Sequence, residues 1–92
     1  MIQGFRHKGL RALFETGVAK GIQPGQAPRI LRILDLLEAA EAPEELNVPG
    51  YGLHPLKGDR KGEWAMKVSG NWRITFRFDG RNVTDVNLED YH

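Results

Sequence analysis

Trp72-Arg73-Ile74-Thr75-Phe76-Arg77-Phe78 is the stretch that decides the fold. Trp72, Ile74, Phe76 and Phe78 fall on one parity, and Arg73, Thr75 and Arg77 on the other. That period of two, in β-branched and aromatic residues, predicts a strand with one face in a core and one in water. The wet face carries two arginines and no acid. A strand buried on one side and cationic on the other can floor a site for an anion.

The neighbouring segments follow from matching faces. Trp64, Met66 and Val68 alternate with Ala65, Lys67 and Ser69. Pairing apolar with apolar sets Val68 against Trp72, Met66 against Ile74 and Trp64 against Phe76, with Ser69-Gly70-Asn71 as a three-residue turn. A two-residue loop in unbroken register would put Val68 opposite Arg73. Asn71 is expected to take the left-handed position in that turn. The same test pairs Ile74 with Val86 and Trp72 with Leu88, leaving Asp79-Gly80-Arg81 as the next turn. The strand from Trp72 is then central, flanked by 64–68 and 82–89. Lys67 lies opposite Arg73, a like-charge pair that costs about 0.2–1 kcal/mol unless an anion offsets it. Arg77 lies opposite Glu63 and drops out of any anion site. Extending the last pairing brings Asp90-Tyr91-His92 alongside Ser69-Gly70-Asn71, beside Arg73.

Upstream, Ile2 and Phe5 suggest an edge strand. Leu10, Leu13, Phe14 and Val18 fall at helical spacing, and Gly17 and Gly21 are candidate C-terminal caps. His7, just before this helix, has no evident partner and reads as surface. Ile30, Ile33, Leu34 and Leu37 give a second helix, opened near Pro28 and closed by Pro43 at about Ala42. Residues 46–62 hold Pro49, Pro55 and the glycines Gly50, Gly52, Gly58 and Gly62, and read as loop with a brief strand at 51–54. Loops on a scaffold are where functional side chains concentrate.

Ninety-two residues make one small domain, 1–92, of α+β class: two N-terminal helices packed on a small twisted antiparallel sheet. The absence of cysteine excludes disulfides and thiolate metal sites. No apolar run approaches the ~20 residues of a membrane span, and the start has no apolar leader core, so the expected address is cytoplasmic with no membrane partner. Net charge is +1. Its distribution is uneven, with residues 54–77 holding Lys57, Arg60, Lys61, Lys67, Arg73 and Arg77 against Asp59 and Glu63. A near-neutral chain with one basic stretch suits a partner that is anionic at a single site.

Under this register Lys67, Asn71, Arg73, Asp90, Tyr91 and His92 gather at one end of the sheet. The loop 54–61 can add His54, Lys57 and Arg60. Cutting RNA without a metal needs such a set. A base takes the 2′-OH proton, cations stabilise the phosphorane, and an acid protonates the leaving 5′ oxygen. Histidine is the readiest acid or base near neutrality, and arginine and lysine supply preorganised charge. Tyrosine can stack on a splayed base. His54, His92 and Asp90 could also hold a metal, but the crowding cations disfavour a divalent ion. No cofactor is expected.

Several blocks resemble a known family across the whole chain. They are the opening Ile2-x-x-Phe5-x-His7-Lys8-Gly9-Leu10, the segment Leu53-His54-Pro55-Leu56-Lys57-Gly58-Asp59-Arg60, and the pair Gly62-x-Trp64. Asn71-Trp72-Arg73-Ile74-Thr75-Phe76 and the ending Glu89-Asp90-Tyr91-His92 complete the set. Together they resemble the HigB toxins, or plasmid-maintenance killer proteins, of the RelE/ParE superfamily. The resemblance implies a microbial-RNase-like fold and an endoribonuclease that binds the ribosomal A site and cuts mRNA there, favouring adenine-rich codons. It implies a HigA-like helix-turn-helix antitoxin, with operator DNA bound only through the toxin–antitoxin complex. By matching position, His54 and His92 become the proton-transfer candidates, with Asp90 supporting and Tyr91 at the scissile nucleotide. Lys57 and Arg73 would stabilise phosphate charge and Asn71 would contact a base. The superfamily also contains gyrase poisons, so fold alone does not fix activity. A gyrase poison without nuclease chemistry and a non-catalytic antitoxin- or RNA-binding member are the alternatives. Gly50-Tyr51-Gly52, just before the histidine, departs from the family pattern and is expected to alter the mobility of that loop.

Overall fold

A computed structural model describes residues 1–90. Helices α1 (Lys8–Thr16) and α2 (Ala27–Ala39) precede strands β1 (His54–Pro55), β2 (Glu63–Ser69), β3 (Trp72–Asp79) and β4 (Asn82–Asp90). Short 3-10 turns occupy Pro43–Leu46 and Gly58–Arg60. The strands form one antiparallel sheet in the order β1-β2-β3-β4. This is the α+β architecture expected, with the Trp72 strand in the interior of the sheet. The N-terminal segment runs beside the free edge of β4 through parallel bridges, Ile2 to Val83 and Phe5 to Val86. Backbone groups of β4 that would otherwise be unpaired are satisfied there, as in the bonds Gln3 N–H to Val83 O (2.7 Å) and Val86 N–H to Gly4 O (3.2 Å).

One face of the sheet packs on the helices. Leu10, Leu13, Ile30, Ile33, Leu34 and Leu37 meet Met66, Ile74, Phe76, Val83 and Val86, all at most 2% exposed. Trp64 and Trp72 pack partly buried against this core. The first helix ends where Gly17 takes φ 77° and donates back to Leu13 O (3.0 Å). Its start depends on His7, whose Nδ1 accepts from Leu10 N–H at 3.1 Å. The surface histidine of the sequence reading is therefore an N-cap. Gly9 leaves room for it, since a Cβ there would lie 2.8 Å from the His7 ring. His7→Ala removes the acceptor for one orphan amide and is expected to cost about 1 kcal/mol in urea unfolding.

The second helix stops at Ala39, earlier than the expected Ala42. Ala42 is extended (φ −152°, ψ 152°), as a residue before proline must be, and Pro43 opens a 3-10 turn instead of merely ending a helix. Ala40, at the C-terminal cap, is also extended.

Both hairpins depart from the expected register by bulges. Lys67 pairs with Arg73, Met66 with Ile74 and Trp64 with Phe76, as expected, but Ser69 pairs with Trp72. Val68 is the extra residue, 4% exposed, and the turn is only Gly70-Asn71. Gly70 (φ 54°), not Asn71, takes the left-handed position. In the second hairpin Phe78 pairs with Val83, Ile74 with Leu88 and Trp72 with Asp90. The turn is Gly80-Arg81, and a bulge places Asp85 and Val86 against Phe76. The cause is legible afterwards: Val83 and Val86 are both fully buried but three residues apart, so they share a face only if one residue is inserted. Asp85 absorbs it at φ 55°, a conformation that Asp tolerates better than most residues, and faces Arg6 and Arg77 at 3.8 Å each.

Candidate active site

The other face of the sheet was expected to be wet, yet its centre is dry. Ala65 is 0% and Thr75 3% exposed. The turn 58–60 lays Arg60 across β3, where its guanidinium bonds Glu63 of β2 (2.9 and 3.0 Å) and Glu89 of β4 (2.5 and 2.8 Å). Thr75 donates its hydroxyl to the same Glu89 carboxylate. The hydrogen bonds from Arg60 hold both glutamates below the ordinary carboxylate range, and the two carboxylates hold Arg60 above the usual arginine value. This cluster therefore stays ionised and saturated. Arg60, a candidate phosphate ligand by sequence, has its donors committed to two carboxylates, which corrects that reading. Arg77 faces Glu63 (3.6 Å) and Asp85, and stays out of the site as its register indicated.

At the turn end of the same face the composition changes. His54, on the two-residue edge strand, lies with its Nδ1 2.9 Å from Gly52 O and its Nε2 3.0 Å from an Arg73 guanidinium nitrogen. A carbonyl only accepts and a guanidinium only donates. The neutral ring therefore carries its proton on Nδ1, donated to Gly52, and its lone pair on Nε2, accepting from Arg73. Gly52 (φ 58°) supplies the backbone conformation that turns its carbonyl toward the ring.

Two adjoining hollows share His54. One is lined by Gly52, His54, Lys67, Gly70 and Arg73, and the other by His54, Pro55, Leu56, Lys57 and Arg60. Among the described residues, neither lining includes a carboxylate. Of the candidates by sequence, His54, Lys67 and Arg73 are brought together, and Lys57 lies in the adjoining hollow. Asn71 is exposed in the turn next to Gly70. Asp90 pairs with Trp72 and so shares the parity of the core-facing residues, opposite to that of Arg73; Glu89 is the partner of Arg73 across the sheet. This corrects the expected position of Asp90 beside Gly70. Tyr91 and His92 lie outside the described residues.

Glu89 was missed as a member of this face. The three-residue spacing of Val83 and Val86 was the available signal, because the bulge it demands, with the shorter turn, replaces Asn87 by Glu89 opposite Arg73. The Gly50-Tyr51-Gly52 segment, expected to alter the mobility of the histidine loop, is held by several contacts. Tyr51 is 8% exposed, Lys67 N–H donates to Tyr51 O (2.7 Å), and the Arg29 guanidinium sits 4.1 Å over the Tyr51 ring. Both glycines take positive φ within a pinned segment.

Comparison with known proteins bears on this arrangement. A family described as the RelE-like toxin HigB of type II toxin–antitoxin systems matches residues 3–92. The chain is 48% identical over 92 residues to Endoribonuclease HigB of Proteus vulgaris, covering 100% of both chains.

Proposed function

This chain belongs to the RelE-like HigB toxins of type II toxin–antitoxin systems, and on that premise we propose that it is a metal-independent endoribonuclease that cuts mRNA in the ribosomal A site. A type II toxin has a protein antitoxin as its partner. The antitoxin here is taken to be a HigA-like helix-turn-helix protein, through which the pair reaches operator DNA.

The observation that carries the reading is His54 Nε2, lone pair outward, 3.0 Å from Arg73 in a hollow lined by cations. Single-stranded RNA brings a phosphate to Arg73. A charged phosphate oxygen is a stronger acceptor than a neutral imidazole nitrogen. Arg73 then turns from His54 to the phosphate, and the freed Nε2 can take the 2′-OH proton. The 2′ oxygen attacks phosphorus, the P–O5′ bond breaks, and a 2′,3′-cyclic phosphate and a 5′-OH result. Lys57 and Lys67, on either side of His54, offset the charge that builds on the non-bridging oxygens. Protonation of the 5′ oxygen falls to His92, with Tyr91 against the scissile nucleotide and Asn71 at a base. Those roles come from positional match to the family. Asp90, opposite Trp72, keeps the supporting role that the family match gives it.

The test is to induce the wild type, His54→Ala and His92→Ala separately, then map mRNA 5′ ends in the cells. Codon-positioned cuts with the wild type alone are expected. Growth arrest with intact mRNA, unchanged by either substitution, would overturn the reading in favour of a gyrase-type poison.

A further inference from the structure

Two contacts set the tautomer of His54, the Gly52 carbonyl at Nδ1 and the Arg73 guanidinium at Nε2, and once Arg73 turns to a phosphate the carbonyl alone keeps it. The segment 50–52 is fixed from outside, by helix α2. Arg29 donates from Nε to Lys67 O (3.0 Å) and from a terminal nitrogen to Gly50 O (2.6 Å), with its guanidinium over the Tyr51 ring. Those two carbonyls belong to the two segments that flank the hollow. They are themselves laced together by Lys67 N–H to Tyr51 O. One turn earlier, the 6% exposed Gln26 donates to Ser69 Oγ (3.1 Å), securing the far side of the β2 bulge. The planar fork of arginine can satisfy two carbonyls and stack on a ring at once, which lysine cannot.

We propose that Arg29 is a positioning residue: it locks the 50–52 turn onto β2 so that the Gly52 carbonyl sets His54 in the Nδ1–H tautomer with its lone pair on Nε2. Without the fork, Gly50 and Gly52 are held less firmly in their positive-φ conformations, the carbonyl leaves Nδ1, and once Arg73 turns to a phosphate the ring exchanges between tautomers. Only one of these presents a base to the 2′-OH. The catalytic consequence rests on the ribonuclease reading; the tautomer does not.

The experiment joins two measurements on the full chain. The first is the long-range 1H–15N spectrum of His54 at a pH where the imidazole is neutral, recorded for each Arg29 form in an Arg73→Ala background so that the Gly52 carbonyl alone selects the tautomer. The second is single-turnover cleavage of mRNA on programmed ribosomes, with binding measured separately. The wild type should show one tautomer, Nδ1–H. Arg29→Ala should show a mixture, with cleavage slowed about 10–100-fold, the range a small misplacement of a catalytic group produces, and binding changed less than about twofold. Arg32→Ala, an exposed cation on the same helix, should match the wild type in both. Arg29→Lys keeps a cation near Tyr51 but cannot bridge both carbonyls, so it should lie between; it also serves if the alanine variant does not fold. A wild-type spectrum and rate in Arg29→Ala or Arg29→Lys overturns the proposal. Mixed tautomers in Arg29→Ala, with no cleavage by the wild type, would uphold the positioning role and remove the ribonuclease reading.

Discussion

Arg60→Met is expected to lower the unfolding midpoint by about 10–20 °C. The substitution keeps much of the aliphatic bulk and removes a charge that two carboxylates share. Glu63 and Glu89 have side chains 6% and 24% exposed, so the variant leaves two acids partly out of water and facing each other across Thr75. Stripping one partner from a buried pair costs about 3–5 kcal/mol. The Arg60 side chain is 34% exposed, which screens part of the interaction and brings the expectation to about 2–3 kcal/mol. For a domain of this size each kcal/mol moves the midpoint by about 4–8 °C. Adding Glu63→Gln should recover part of the loss, because a neutral amide has no charge to desolvate. The same network sets the acid behaviour. Both glutamates titrate below their ordinary value of 4.5 in the folded chain. In the window between the folded and unfolded values the unfolded chain binds more protons, so stability rises with pH there. The contribution is complete above the unfolded value and disappears as pH falls through the folded ones. Urea melts from neutrality down through pH 4.5 should therefore show the wild type and Arg60→Met converging as the acids protonate. A constant gap would mean that Arg60 acts by packing and not by charge.

That network also marks where sequence reading reached its limit. The alternation of Trp72 to Phe78 identified β3 and its buried face directly, because parity is a local property. The pairing of Lys67 with Arg73 followed from it, since β2 alternates in step up to that point. The bulges did not follow. A bulge is an extra residue whose only trace is two core positions at odd spacing, and Val83 and Val86 were such a pair. Overlooking it, together with a turn set one residue too long, shifted β4 by two residues at its C-terminal end and put Asn87 where Glu89 stands opposite Arg73. Arg60 was misread for a different reason. Its position in a basic loop suggests a ligand for an anion, and only the fold places two glutamates from distant strands within its reach. Composition counts charges; it does not pair them. His54, by contrast, was identifiable as a candidate, but its tautomer depends on a backbone carbonyl two residues away. That carbonyl's direction is set by an arginine on the second helix.

Arg73→Ala is expected to slow cleavage by about 10²–10³-fold, the loss typical when one preorganised donor to a developing charge is removed. The size of the effect alone would not separate the two roles that the geometry gives this side chain. It sits 3.0 Å from His54 Nε2 before RNA binds and is placed to bind phosphate afterwards. Removing it deprives the phosphorane of a cation and also uncovers the His54 lone pair in advance. The first change slows the reaction and the second favours it, so the net loss should be smaller in Arg73→Ala than the phosphate contact alone is worth. Arg73→Lys separates them. An ammonium can still reach a phosphate, but it cannot present two donors in one plane. It should recover binding of the ribosomal complex to within a few-fold and leave most of the rate defect, about 10-fold or more, or about 1.4 kcal/mol of barrier. His54→Ala in the same assay removes the base and should cost about 10²–10⁴-fold. The double variant then gives the decisive number. If Arg73 serves the phosphate alone, the two losses multiply. If Arg73 also gates the His54 lone pair, its removal uncovers nothing in the His54→Ala background, and the double variant is slower than the product of the two losses.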